Sequence, residues 1–339
     1  MRKRMILAAA LAVQGAAALA AAPRVVVDIA PVHGVVAALM QGAGTPVLLV
    51  PAGGDAHDFA LRPSQARSLA QAQAVFWIGP GLMPQLQRPM DNLTGGAVIV
   101  PLIAQPGVQL LGADGASHLG DAPDDDDDHD KHADHDDHDD HDDHDDHAGH
   151  DHDADHDADH GGGHNHGAED PHIWLDPRNV SAWLPDITRT LSALDPKNAA
   201  LYARNQQEFE QQLHQLEAQI EQDMAPLYGR GFMVYHQAYR YFEQRFGLRN
   251  LGAIAGVEGG KPSAAHMSML RQIAKAQGVR CVLAEPGYNP GLIHAIGLPD
   301  PVQVDPLGGG LPLGPGHYPA LLRDIAQQFA ACLGAAGSD

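Results

Sequence analysis

The sequence predicts an α/β protein of two similar lobes, each a parallel sheet flanked by helices, joined by one long rigid helix. A disordered Asp/His-rich insert sits in the N-terminal lobe. Three observations carry this reading. β-Branched runs alternate with helix-like segments twice over, the pattern of βαβ units. Between the two sets runs one long apolar stripe at helical spacing. From about Ala104 to Ala168 the alternation stops and large apolar residues nearly vanish, so little is available to offset ordering entropy.

Taken in order, residues 1–22 read as a secretory signal peptide. Arg2, Lys3 and Arg4 precede an apolar core from Met5 to about Ala18, and Ala-x-Ala patterns follow. A membrane anchor is the alternative; the stretch is short, Ala-rich and interrupted by Gln14 and Gly15. No cysteine follows it to carry a lipid. The N-terminal lobe, 23–197, has strands at 23–29, 46–50, 74–78 and 97–100, with helices at 32–40, 63–73 and 83–93. The insert, 112–168, interrupts this lobe, and a helix at 178–194 closes it. The linking helix is placed at 198–226. Phe209, Leu213, Leu216, Ile220 and Met224 form its stripe, and the 28 residues 198–225 span about 42 Å. The C-terminal lobe, 227–339, has strands at 231–236, 248–254, 280–286 and 301–305. Its helices fall at 238–246, 263–277, 290–296 and 317–333. A ligand of such a protein lies between the lobes, at the carboxyl ends of the strands.

The formal charge of −22 is concentrated in the insert. Residues 114–160 hold 22 of the 43 acids and one of the 21 bases, leaving 21 acids and 20 bases elsewhere. That near-neutral remainder has no basic patch fit for nucleic acid. Within the insert, His135, His138, His141, His144 and His147 stand at every third position with aspartates between. Such a tract has no preformed site, so it is expected to bind metals weakly and unselectively; a solvated spacer is the plain alternative. Cys281 and Cys332 are the only cysteines. In an exported chain they are expected to pair, which would close a loop worth roughly 4 kcal/mol by chain entropy. Two reduced thiols remain the alternative; a zinc role is weak without CxxC spacing.

Three histidines outside the tract stand at strand ends or just beyond them. His57 follows the second strand, His172 follows the insert, and His236 closes the strand GFMVYH. Asp305 closes the strand PVQVD. Three imidazoles with a carboxylate or water suit tetrahedral zinc, and nitrogen donors favour zinc over manganese or calcium. His33, His214, His266, His294 and His317 lie in helix or turn contexts and read as surface residues, with His33 near the cleft.

The segments HDFALRPS, PHIWLDP, YHQAYRYFE, AEPGYNP and VDPLG occur in an order and spacing that resembles the periplasmic zinc-binding receptors of bacterial zinc ABC importers. The match covers nearly the whole chain after the signal, and the acidic His-rich insert belongs to it. The resemblance implies one zinc between two lobes held by His57, His172 and His236, with Asp305 a candidate fourth ligand or a water in its place. Related manganese receptors carry a carboxylate where His236 stands. A Glu beside the first histidine of some zinc relatives is Ala56 here. The resemblance also implies a Cys281–Cys332 bridge, a periplasmic monomer, and a partner consisting of an inner-membrane zinc permease with its cytoplasmic ATPase. The His tract becomes an auxiliary zinc-collecting or sensing element. Two other readings compete. A buffer acting through the tract leaves the two lobes unexplained. A zinc hydrolase needs a general base at the metal water. HExxH and GxSxG are absent, and Asp58 and Glu285 serve equally well as partners that orient histidines.

Overall fold

The computed structural model describes residues 22–112, 169–257 and 260–335. The signal segment, nearly all of the insert and its five tract histidines lie outside the described residues. The N-terminal sheet contains β1 (Val25–Val27), β2 (Val47–Leu48), β3 (Ala74–Trp77) and β4 (Val98–Pro101) in the order β2-β1-β3-β4, all parallel. The C-terminal sheet contains β5 (Gly231–His236), β6 (Arg249–Ala255), β7 (Val282–Ala284) and β8 (Val302–Gln303). Its order is β6-β5-β7-β8, again all parallel. Each sheet therefore reverses direction beside its first strand, the point where α/β folds open a crevice. The central strands β1, β3 and β7 are buried at every residue, as parallel strands covered on both faces must be. Asp28, fully buried just past β1, accepts the amides of Ile29 at 2.8 Å and Ile78 at 2.6 Å, tying the ends of β1 and β3 together. Burial pushes its carboxyl up to about 7, while these amides pull the other way.

Nine α-helices occupy the described residues: α1 (Ala30–Leu39), α2 (Pro63–Ala70), α3 (Gln87–Leu93), α4 (Pro177–Leu194), α5 (Ala199–Met224), α6 (Arg240–Arg245), α7 (Ala264–Gln277), α8 (Pro290–Ala295) and α9 (His317–Ala335). None is long and apolar enough to cross a membrane. At 26 residues, α5 is about 39 Å long. Its buried stripe is the expected one extended by Tyr202 and Asn205. Asn205 Nδ2 donates to the carbonyls of Leu39 and Gln41, both at 2.9 Å, which satisfies the C-terminal end of α1.

The linking helix is not the only junction between the lobes. Helix α9 of the C-terminal half packs on α1 and α5, and a Cβ on Gly34 of α1 would meet the Tyr318 amide nitrogen at 2.8 Å. One hydrophobic core accordingly runs from the first sheet through α4 and α5 into β5, α6 and α9. A second, smaller core fills the outer C-terminal layer of β6, α7 and α8, with Leu251, Ile254, Leu270 and Ile293 among its members. The Cys281–Cys332 disulfide joins the start of β7 to α9.

The structure departs from the sequence reading in detail. Strands expected at 46–50, 280–286 and 301–305 are shorter, Val47–Leu48, Val282–Ala284 and Val302–Gln303, although single backbone bonds run on past two of them, from the Leu49 and Val50 amides to the Val27 and Asp28 carbonyls and from the Val304 amide to the Ala284 carbonyl. The helix expected at 83–93 splits into a 3-10 turn, Pro84–Leu86, and α3. His33 and His317, read as surface residues, are buried in the α1–α9 junction. His317 finds acceptors in the carbonyls of Pro312 at 3.3 Å and Leu307 at 3.1 Å.

Candidate metal centre

His57, His172 and His236 converge from three segments widely separated in sequence. Each offers one ring nitrogen, and the three nitrogens lie within 4.8 Å of one another, the one such cluster of three or more donors among the described residues. Ring centroids are 5.4 Å apart for His57–His172, 5.7 Å for His57–His236 and 5.2 Å for His172–His236. A zinc ion about 2.0–2.1 Å from each nitrogen, at tetrahedral angles, needs donors about 3.4 Å apart, which a small inward movement provides.

His172 is the most constrained of the three. It is buried, its Nδ1 lies 2.8 Å from Asp170 Oδ1, and its backbone amide donates to the same oxygen at 3.0 Å. Asp170 can only accept when ionised, so Nδ1 carries the hydrogen and Nε2 presents its lone pair to the crevice. Arg240 stands 3.7 Å from the other Asp170 oxygen, and the Tyr241 hydroxyl donates to the Asp170 carbonyl at 2.8 Å. Just beyond, Asp176 caps α4 through the Arg178 amide at 2.9 Å and receives Arg245 through both its oxygens, at 2.9 and 2.6 Å. Helix α6, which follows His236, thus clamps the segment that carries His172.

His57 sits in a loop shaped by Asp55, whose Oδ1 accepts the His57 amide at 2.8 Å. Among the described residues its ring nitrogens have no hydrogen bond. Burial pushes its pKa down to about 4, and positive charge on His172 or His236 would push the same way. Burial also lowers His172, against the opposing pull of Asp170. His236 moves the other way. Burial depresses it, but the Glu285 carboxylate and the Val257 carbonyl outweigh that and raise it. Two of the three donors are therefore held neutral, the form that metals need.

Asp305 is not brought into this set. Its Oδ1 accepts the Leu307 amide at 2.8 Å and its Oδ2 the Gly309 amide at 2.7 Å, so it shapes its own loop. That loop also touches the other lobe. The Trp174 indole donates to the Pro306 carbonyl at 2.8 Å, and Gly309 lies so close to Gly53 that a Cβ would meet the Gly53 nitrogen at 2.5 Å. The partners Asp170 and Val257 were not singled out from the sequence. Asp170 stands two residues before a candidate ligand in DPH and could have been suspected as its orienter; Val257 acts through its carbonyl and leaves no sequence signal.

Two parallel-sheet lobes that meet over a cluster of three imidazoles have the build of a two-lobed metal-binding receptor. The sequence family described as zinc-uptake complex component A, periplasmic, matches residues 25–332, and the chain belongs to that family. The chain is similar to the high-affinity zinc uptake system protein ZnuA of Paracoccus denitrificans, 39% identical over 335 residues that make up 98% of each chain. It is 40% identical over 316 residues to the protein of the same description from Brucella abortus (strain 2308), covering 91% of each. Among solved structures, a crystal structure of ZnuA shares the fold with a TM-score of 0.68 at 22% identity, over 92% of this chain and 99% of that one.

Proposed function

We propose that the chain captures zinc(II) between its lobes through His57, His172 and His236 and delivers it to an inner-membrane ABC permease driven by a cytoplasmic ATPase, acting as a monomer. The observation that carries this is the convergence of three ring nitrogens within 4.8 Å, outside the Asp/His tract. The family and its zinc-uptake relatives support the choice of metal. In this reading residues 1–22 are removed on export, 23–197 and 227–339 form the two lobes, and 198–226 links them. The core shared by both lobes argues for small movements on zinc release rather than a wide hinge closure.

The tract histidines His135, His138, His141, His144 and His147 serve as an auxiliary zinc collector. Gly112 and Glu169, at the two ends of the insert, pair in an antiparallel bridge, three residues before His172. Zinc held on the tract is thereby tethered near the main site, at the millimolar effective concentrations that short linkers give.

Chelator competition on metal-stripped protein tests both parts. One tight zinc is expected in the full chain and in a chain lacking residues 121–166, and none in the His57→Ala, His172→Ala, His236→Ala triple variant. Tight binding that survives the triple change, or vanishes with the deletion, would overturn the assignment.

A further inference from the structure

We infer that Glu285 supplies the fourth zinc ligand and that His236 binds the ion through Nδ1; this rests on the three-histidine reading above. The register of the second sheet puts the two residues side by side. Strands β5 and β7 are parallel neighbours with Val234 opposite Leu283, so two residues further on His236 faces Glu285 at the crevice.

The hydrogen-bond roles then select the nitrogen. His236 Nε2 lies 2.9 Å from the carbonyl oxygen of Val257, which can only accept. In the neutral ring the hydrogen therefore sits on Nε2 and the lone pair on Nδ1. A metal-bound histidine commonly donates its other N–H to a carbonyl in this manner. His172 is the mirror case, with Nδ1 given to Asp170 and Nε2 left open.

His236 Nδ1 looks toward Glu285 Oε1 at 3.6 Å. That is too long for a hydrogen bond, and close to the roughly 3.4 Å between neighbouring donors around tetrahedral zinc. Glu285 Oε1 is itself buried and accepts no hydrogen bond among the described residues, since the Tyr239 hydroxyl beside the carboxyl gives its hydrogen to the Val304 carbonyl at 3.0 Å. A buried carboxylate oxygen left unmatched is costly unless a cation completes it. The alternative carboxylate, Asp305, has both oxygens engaged by amides. Glu285 lies outside the 4.8 Å cluster, so its carboxylate swings inward on its flexible stem when the ion arrives. With Asp170 behind His172, the two carboxylates balance the double charge of a zinc ion among three neutral imidazoles.

Visible absorption of the cobalt(II)-substituted full-length protein, with zinc affinity by chelator competition, tests this. Glu285→Gln and Glu285→Ala are each expected to change the position and intensity of the cobalt d–d bands and to weaken zinc at least on the order of 10–100-fold, the loss seen when a ligand's partner is removed. Asp305→Asn is expected to leave the bands unchanged. Unchanged bands in Glu285→Ala overturn the inference, even with weaker zinc, since Glu285 would then act from outside the coordination shell. His172→Ala separates the two readings. Loss of zinc in His172→Ala with cobalt bands intact in Glu285→Ala removes only the fourth ligand, whereas retention of tight zinc in His172→Ala removes the three-histidine site itself.

Discussion

The two sheets have the same strand order and the same direction of reversal, yet they are built into the molecule differently. The central strands of the first sheet, β1 and β3, belong to the core that continues through α5 into β5, α6 and α9. The second is divided. Its inner side shares that core, while β6, α7 and α8 close over a small core of their own. The candidate ligands follow the same division. His172 is locked by Asp170 and clamped from α6, whereas His236 touches the outer layer through Val257 and Glu285. Equal topology is thus packed unequally, and the outer C-terminal layer has a separate core of its own.

The largest effect should come from cutting the shared core. Phe329 in α9 packs edge-on against Phe232 and Tyr239 and also against Phe242. Phe329→Ala should cost about 3–5 kcal/mol and lower the melting of the whole molecule in one transition. The matching change in the outer core, Leu270→Ala, should instead raise amide exchange chiefly in β6, α7 and α8. A uniform response to Leu270→Ala would mean that the two cores unfold as one.

The disulfide should rank next, because it staples the start of β7 to α9 within the shared core. Replacing Cys281 and Cys332 by Ser should cost about 2–4 kcal/mol in denaturant titration, with exchange rising first near β7. A loss spread evenly over both lobes would contradict the division.

Asp170→Ala probes the rigid half of the site. It frees the His172 ring and removes the carboxylate facing Arg240, which keeps its bond to the Gly112 carbonyl, and zinc affinity should fall about 10–100-fold in chelator competition. If affinity is unchanged, His172 does not need its lock.

The smallest expected effect concerns pH in the metal-free protein. His57 and His172 have folded pKa values below the unfolded value of 6.5, so the unfolded chain binds more protons below that pH. Their contribution is present above pH 6.5 and is lost as pH falls, for His57 down to about 4. His236, shifted upward, contributes in the opposite sense: its stabilisation is full below 6.5 and is lost as pH rises through its folded value. Asp28 and Glu243, whose folded values are raised to about 7 and about 8, act against the two histidines over the same range, so the test is a difference: His57→Ala should lose less melting temperature than wild type as pH falls from 6.5 to 4. Profiles of equal slope in wild type and variant would show that the His57 ring is hydrated in the empty site.

Much of this was legible from sequence, for a physical reason. Side-chain period reports which face of an element is buried. The run Val25–Val27 and the stripe from Phe209 to Met224 therefore appear in the structure as read, and His236 ends β5 while His57 follows β2 and His172 follows the insert, the three meeting in one cluster. Period does not report what a buried face meets. The contact of Gly34 with Tyr318, the indole bond from Trp174 to Pro306, the burial of His317 and the capture of Asp305 by amides all depend on how elements far apart in sequence close on one another. The same holds for Glu285 facing His236. Each residue's position at a strand end is local, but the register of β5 against β7 is decided only when the whole sheet and its covering helices pack, because burial of both faces rather than any single residue fixes that alignment.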